Sequence, residues 1–340
     1  MNDFAALLEI AKSGQPLSRA EMRRAMDLLL ADLVREDHIA EFLLALRARG
    51  ETVDEIVAAA ESIRSAAIRI SAPEGAIDTC GTGGDGANTF NISTAAAIIV
   101  AGCGLPVAKH GNRSASSRSG SSDVLAALGV NLKAAPPVIE RCIRDAHVGF
   151  MFAAYHHKAV AHVAAVRRRL GVRTIFNVLG PLSNPAGARR QLMGVFDPAL
   201  TTPLAQALGG LGARHAWVVA GADGLDELTT TARSFVSEVI DGDVRNFELA
   251  PEDAGLPRAR PDDLKGGDPA DNADALRRLL DGEKGPYRDI AILNSAAALI
   301  VGGRAKSLRE GAILAAASID QGLAKAALAK LVQISNEDPA

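Results

Sequence analysis

Cysteine is scarce in this chain. Cys80, Cys103 and Cys142 are too few and too scattered among 340 residues for a disulfide framework or a thiolate zinc site. That scarcity fits a reducing compartment, and cytoplasm is the expected location. An excess of charge of one sign is also missing. The formal net charge is -3 at pH 7, so nothing pulls the whole chain toward nucleic acid or a membrane surface. No apolar run reaches membrane-spanning length without glycine or polar breaks. Met1–Gln15 carries Asp3 and Glu9 and lacks the basic start and apolar core of a signal peptide. No repeat with a 20–50 residue period is visible. No Ser-His-Asp order, H-E-x-x-H or C-x-x-C occurs, so a mechanism of positioning and charge is favoured over covalent catalysis. What remains is 48% hydrophobic and 23% charged, an ordinary globular profile with chain enough for about two domains.

What is present concentrates in Asp78–Asp123. The segment opens with D-T-C-G-T-G-G-D-G, continues through T-F-N-I-S-T (Thr89 to Thr94), and closes with K-H-G-N-R-S-A-S-S-R-S-G-S-S-D (Lys109 to Asp123). Gly81, Gly83, Gly84 and Gly86 strip side chains from the first loop, so backbone N–H groups can approach an anion. Asn91, Ser93 and Thr94 stand where a helix is expected to begin, because the apolar run Ala95–Val100 follows. A helix N-terminus offers free N–H groups and positive dipole. Lys109 and Arg113 add full positive charge. Three such elements in succession suggest a polyphosphate ligand. Gly81, Gly83 and Gly86 formally match G-x-G-x-x-G, but Ala87–Asn91 intervenes before the helix and no acid stands near Pro106–Lys109. A dinucleotide site is therefore disfavoured. No G-K-[ST] closes the loop, so it is not a P-loop.

The organisation is helical, then mixed. Residues 1–70 read as all helix, with capping boxes at Ser18–Glu21 and Thr52–Glu55. Ala72–Gly75 reads as a linker. Strands are expected at Ile77–Thr79, Pro106–Ala108, Gly149–Phe152, Trp217–Ala220 and Arg245–Leu249. Helices are expected at Thr94–Cys103, Ser122–Leu128, Pro137–Ala146 and His157–Leu170. This alternation predicts an α/β domain with a mostly parallel central sheet behind a small N-terminal helical domain. The expected division is residues 1–71 and 72–340. Ala250–Ala273 reads as a long loop, and Ser307–Glu310 caps a C-terminal helix.

Other constellations are weaker singly. Lys109–Arg113 reads alone as a solvated basic turn. Ser114, Ser116, Ser117, Ser119, Ser121 and Ser122 form a flexible linker or a second anion cradle. Asp226 and Glu227 are adjacent hard oxygen ligands, suited to Mg²⁺ held jointly with substrate phosphates. His157 and Arg167, ten residues apart on one expected helix, can share a face, and a buried arginine suits a carboxylate. Asn177–Pro181 reads as a tight apolar turn.

Taken together, G-T-G-G-D (Gly81–Asp85), N-I-S-T (Asn91–Thr94), K-H-G-N-R (Lys109–Arg113), G-S-S-D (Gly120–Asp123), L-G-V-R-T-I-F-N-V-L-G-P-L-S-N-P-A (Leu170–Ala186), Q-L-M-G-V-F (Gln191–Phe196) and L-D-E-L-T-T-T (Leu225–Thr231) resemble the anthranilate phosphoribosyltransferase family. The N-S-A-A-A-L segment (Asn294–Leu299) is similar as well, so the resemblance covers essentially the whole chain. It implies a nucleoside phosphorylase/phosphoribosyltransferase-like fold, usually a homodimer through the helical part. It implies transfer of the phosphoribosyl group of phosphoribosyl diphosphate to anthranilate, with release of diphosphate. By that resemblance Gly81, Gly83, Gly84, Asp85, Thr89, Asn91, Ser93, Thr94, Lys109 and Ser121 hold phosphoribosyl diphosphate. Ser93, Asp226 and Glu227 hold Mg²⁺. Gly81, His110, Asn112, His157, Arg167 and Gly180 line the anthranilate path, and Lys109 and Arg167 carry the catalytic charge. A contact with anthranilate synthase is left open; nucleic acid and membrane partners are not expected. The chain departs from the family at Phe152-Ala153-Ala154 and His157-Lys158-Ala159-Val160, where two prolines are missing. The rival readings are a pyrimidine nucleoside phosphorylase and a non-catalytic nucleic-acid binder on the same scaffold. The K-H-G-N-R motif and the acidic pair speak against the first; the acidic pair and the slightly acidic net charge speak against the second.

Overall fold

The computed structural model describes residues 3–113 and 118–338. Ser114, Ser116 and Ser117 of the serine-rich stretch lie outside the described residues. Four helices come first: α1 (Asp3–Lys12), α2 (Arg19–Leu30), α3 (Glu36–Arg49) and α4 (Val53–Ala66). Both expected capping boxes are formed. The Ser18 and Thr52 hydroxyls accept the N–H of Glu21 and Glu55, and those carboxylates accept the cap N–H groups at 2.8 Å. Glu55 is fully buried and also accepts the Leu17 N–H at 2.9 Å and Arg49 Nη2 at 2.6 Å, tying the start of α4 to the approach of α2. Leu43 and Leu46 of α3 have no exposed surface, so truncating either to alanine costs about 2–5 kcal/mol.

The rest of the chain alternates. In order it forms β1 (Ile77–Gly81), α5 (Ile92–Gly102), β2 (Val107–Gly111), α6 (Ser121–Ala127), α7 (Pro136–Asp145), β3 (Val148–Phe152), α8 (Ala153–His156), α9 (Ala161–Leu170) and α10 (Phe176–Leu182). It continues with β4 (Arg190–Gly194), α11 (Thr201–Gly210), β5 (His215–Gly221), β6 (Ser234–Ile240), β7 (Asp243–Leu249), α12 (Pro269–Leu280), α13 (Pro286–Val301), α14 (Leu308–Asp320) and α15 (Leu323–Ser335). The sheet order is β3-β2-β1-β4-β5-β6-β7. The first five strands run parallel; β6 and β7 turn back antiparallel. Alternate side chains feed two cores. Leu192, Trp217 and Val219 face the core with α5, α7 and α12–α15, while Met193, Val218 and Ala220 face the core shared with α1–α4 and α9–α11. The N-terminal helices pack on one another, with Phe4 against Phe42 at 5.3 Å, and their core is continuous with that face of the sheet. They complete one face of the sheet. No single helix among the described residues is long and apolar enough to cross a membrane.

Four expectations need correction. β4 and β6 were not foreseen. The helix expected over His157–Leu170 is broken: α8 ends at His156, Lys158–Val160 makes a 3₁₀ turn, and α9 starts at Ala161. His157 lies in that break and shares no helix face with Arg167. Asn177–Pro181 is helical, within α10, because Val178, Leu179 and Leu182 bury a side of it. The loop expected over Ala250–Ala273 contains two 3₁₀ turns and ends at α12, whose first turn Asp268 caps by accepting the N–H of Ala270 and Asp271.

Candidate active site

The chain runs from β1 to one side through β2 and β3, then returns to the other side of β1 as β4. Such a reversal opens a crevice at the carboxyl ends of the two strands, where open α/β sheets take their ligands. Here β1 and β4 both end in glycine, Gly81 opposite Gly194. The reason is steric. The loop after β5 carries Asp226 over this spot. A Cβ on Gly194 would lie 1.6 Å from the Asp226 carbonyl oxygen, and one on Gly81 would lie 2.4 Å from Asp226 Oδ2. Gly81 is thus bare to admit Asp226, where the sequence suggested room for an anion.

The glycine loop follows β1 with Gly83, Gly84 and Gly86 at φ of 63°, 84° and 71°, the left-handed region that glycine adopts freely. Asp226 Oδ2 accepts the Gly83 N–H at 2.7 Å. Arg173, with its guanidinium centre 3.4 Å from the centroid of the Phe196 ring, donates to the Gly84 carbonyl. Asp85 turns back to accept the Ala87 N–H at 3.2 Å. Thr89 pairs antiparallel with Lys265. α5 begins at Ile92, earlier than expected. Ser93 and Thr94 lie in its first turn, and Asn91 at its cap. Glu227 Oε1 accepts the Ser93 N–H at 3.0 Å. Asn91 is held by Asn272 at 3.0 Å and by Ser119.

Lys109 and His110 are strand residues, because β2 runs on to Gly111, beyond the expected Ala108. Their side chains are therefore buried on opposite faces of the sheet. The Lys109 ammonium donates to the Thr79 carbonyl and to Ser93 Oγ, the latter at 3.3 Å. Burial lowers its pKa against the opposing pull of Asp78, Glu227 and Asp226. Burial also holds Asp226 well above the usual carboxylate range, and Glu227 and Asp85 push the same way. Glu227 is pushed up to about 7, again by burial, against Lys109 and the Ser93 N–H. Three carboxyl groups, Asp85, Asp226 and Glu227, thus crowd one lysine, and burial with their mutual repulsion holds protons on the pair that a divalent cation would displace. Among the described residues no group of three or more His, Cys, Asp or Glu makes a closed metal cage. Two carboxylates and the Ser93 hydroxyl, all hard oxygens, fit Mg²⁺, which completes its shell with water and substrate phosphate.

Beside this cluster, on the other face of β2, His110 Nε2 lies 3.2 Å from His157 Nε2. Burial drives the pKa of His110 well below its ordinary value and that of His157 down to about 4, so both rings are neutral at pH 7. One therefore donates and the other accepts. Arg167 leaves α9 toward α10, where Nη2 donates to Asn177 Oδ1 at 3.3 Å. Its Nε, His157 Nδ1 and Thr174 Oγ1 are buried without partners. The arginine run divides as its geometry requires: Arg167 turns inward, Arg168 is exposed, and Arg169 pairs with Glu36 of α3 at 2.6 Å. Gly180 is exposed in α10. Asn112 and Arg113 are exposed at the end of β2; Ser121 Oγ donates to the Asn112 carbonyl at 3.3 Å. His156 belongs elsewhere, buried against the Ile68 carbonyl at 2.7 Å.

Sequence reasoning missed the residues behind the site. Asp78 accepts the His110 N–H at 3.1 Å and Asn184 Nδ2 at 2.8 Å, fixing β2 against the turn after α10. Arg173, Asp223, Asn272 and Tyr287 were also unmarked. For Arg173 and Asp223 the only signal was their place inside or beside the quoted motifs; Asn272 and Tyr287 had none.

Known proteins bear on this arrangement in two ways. A glycosyl transferase family model for a helical bundle domain matches residues 5–67, and one for an a/b domain matches residues 73–325. Anthranilate phosphoribosyltransferases from Beijerinckia indica and Rhodospirillum rubrum are 55% and 57% identical to the chain. The first match covers 99% of both chains, the second 98% of this chain and 96% of the relative. Among solved structures, the anthranilate phosphoribosyltransferase of Thermus thermophilus superposes with a TM-score of 0.93 at 43% identity, covering 97% of this chain and 99% of that one. The Saccharomyces cerevisiae enzyme in complex with PRPP and Mg superposes with a TM-score of 0.88 at 28% identity, covering 97% and 98%. With sequence, domain content and fold agreeing along its length, the chain belongs to the anthranilate phosphoribosyltransferase family.

Proposed function

We propose that the chain transfers the phosphoribosyl group of phosphoribosyl diphosphate to the amine of anthranilate, releasing diphosphate, as a step of tryptophan biosynthesis. The observation that carries this reading is one junction. A glycine loop, a helix N-terminus, the buried Lys109 and the buried Asp226–Glu227 pair meet at the β1/β4 crevice, next to a neutral histidine pair and Arg167.

The leaving diphosphate gathers charge as the ribose C1–O bond breaks. The N–H groups of Gly81, Gly83 and Gly84, the first turn of α5 at Asn91, Ser93 and Thr94, and Lys109 are the donors for it; Asp85, Thr89 and Ser121 complete that side. Ser93, Asp226 and Glu227 are the residues that would hold Mg²⁺, which when bound neutralises charge on the diphosphate. Arg167 takes the anthranilate carboxylate, and Gly81, His110, Asn112, His157 and Gly180 line the path to it. The amine attacks C1 as the C1–O electron pair leaves with diphosphate. Its proton goes to the ortho carboxylate of the substrate. Holding a weak arylamine in line is worth up to several kcal/mol.

The division of the chain into a helical part, residues 1–71, and a phosphoribosyl diphosphate-binding part, residues 72–340, belongs to the same reading. So do a cytoplasmic location and a homodimer formed through the helices, the latter supported by Leu33 and Leu44, which stand 66% and 42% exposed on that part. The test follows anthranilate fluorescence after phosphoribosyl diphosphate is added, with and without Mg²⁺. Enzyme- and Mg²⁺-dependent loss of signal is expected. A constant signal with folded protein overturns the reading and turns attention to phosphorolysis of uridine and thymidine.

A further inference from the structure

Asn294 lies in the middle of α13 with no exposed surface. Asparagine competes with helix backbone for hydrogen bonds, and a buried amide is costly unless both its ends are satisfied. Here both are. Oδ1 accepts the Leu228 N–H at 3.1 Å, and Nδ2 donates to the Leu228 carbonyl at 2.8 Å and to the Ile290 carbonyl at 2.9 Å. One side chain therefore takes both backbone groups of the residue immediately after Glu227, as a neighbouring strand would.

The same loop is held from its other end. Asp223 Oδ2 accepts the hydroxyls of Thr229 and Thr231, the former at 2.7 Å, and Oδ1 accepts the Leu225 N–H at 3.3 Å. Beneath the loop, Gly194 leaves no space for even a methyl group. With both sides closed, the direction of the Asp226 and Glu227 carboxylates follows from where Leu228 is pinned. α13 also reaches the facing wall, where Tyr287 stacks on Phe90 at 4.3 Å and donates to the Asn91 carbonyl at 3.4 Å.

We infer that Asn294 is a positioning residue: by gripping the backbone of Leu228 it aims the Asp226–Glu227 pair and so sets the affinity of the site for its divalent cation. This rests on the reading of that pair as the metal-binding carboxylates. The test is calorimetric titration of Mg²⁺ into the full chain with phosphoribosyl diphosphate present and anthranilate absent. It compares wild type, Asn294→Ala, Asn294→Asp, and the double variant Asp226→Asn with Glu227→Gln. Asn294→Ala is expected to weaken Mg²⁺ binding about 10–100-fold, the usual effect of losing a group that orients a metal ligand. KM for anthranilate stays unchanged. Asn294→Asp keeps the acceptor for the Leu228 N–H but sets an oxygen against two carbonyls, so it loses part of the affinity; it carries the test if the alanine variant does not fold. A folded Asn294 variant with a lowered Tm and wild-type Mg²⁺ affinity overturns the inference. Wild-type affinity in the double variant overturns the acidic-pair reading and this inference with it.

Discussion

The two halves of the site are built differently. On the diphosphate side the charged groups and the backbone they face already have partners within the protein: the Gly83 N–H on Asp226, the Ser93 N–H on Glu227, and Lys109 on Thr79 and Ser93, while the Thr82 and Thr94 hydroxyls are buried without one. On the aryl side, Arg167 Nε, His157 Nδ1 and Thr174 Oγ1 are buried and bare. A bare buried polar atom costs about 1–3 kcal/mol. The first half keeps its charges paired until a ligand exchanges the partners; the second carries the cost of a bare guanidinium nitrogen until a ligand arrives. Breaking the first should therefore damage use of the sugar diphosphate, and breaking the second should damage recognition of anthranilate.

The largest effect is expected from Asp226→Ala with Glu227→Ala. Losing such charge stabilisation should lower kcat/KM on the order of 10³-fold. Unchanged kcat at limiting Mg²⁺ would remove the pair from the mechanism. Gly194→Ala comes next. Its methyl group must displace the Asp226 backbone, an overpacking of about 1–3 kcal/mol. KM for phosphoribosyl diphosphate should rise while KM for anthranilate holds; equal rises in both would erase the distinction between the halves. Arg167→Ala should do the reverse. Removing a hydrogen-bonded charge worth about 1.5–3 kcal/mol should raise KM for anthranilate about 10–100-fold, with KM for the sugar diphosphate unchanged.

The smallest effect concerns pH. Burial lowers the His157 pKa from 6.5 to about 4. The unfolded chain therefore binds a proton at this residue between those values while the folded chain does not. The contribution to stability is complete above pH 6.5, falls as pH drops through the window, and is lost below about 4. Urea midpoints measured across it should fall less steeply for His157→Asn than for wild type. Parallel curves would show that His157 is protonated in the folded protein.

How far the sequence carried depends on where local pattern and tertiary need agree. Capping boxes at Ser18 and Thr52, and strands at β1, β2, β3 and β5, were legible because propensity and burial coincide there, while β7, an exposed edge strand, was marked by the alternation of Phe247 and Leu249 alone. β6 was hidden because Glu238 interrupts its apolar pattern, yet that carboxylate is buried and accepts Trp217 Nε1 at 2.8 Å and His215 Nε2 at 2.7 Å. In α10, Gly180-Pro181 looks like a stop, but a proline in the last turn removes one bond from a short helix held by its buried leucines. The start of α12 was legible in Asp268-Pro269-Ala270-Asp271, a cap followed by proline at the first helical position, and was passed over. The break after His156 has no glycine or proline to announce it. Within the site, the acidic pair and glycine loop stood out as clusters. Asp78, Arg173 and Asn294 did not, because a lone residue acquires its role only from a partner about 60–110 positions away.

The shared core of the N-terminal helices has a consequence for synthesis. Phe42, Leu43 and Leu46 belong to one cluster with Val163, Met193, Leu204 and Val218. The first four helices are thus made long before the surfaces they close upon. At about 5–20 residues per second, the wait for β4 and β5 is on the order of ten seconds. During it the helices can pack on one another, as Phe4 does on Phe42, but the share of their core that the sheet supplies is absent, so the first segment to emerge cannot complete its packing until those strands follow.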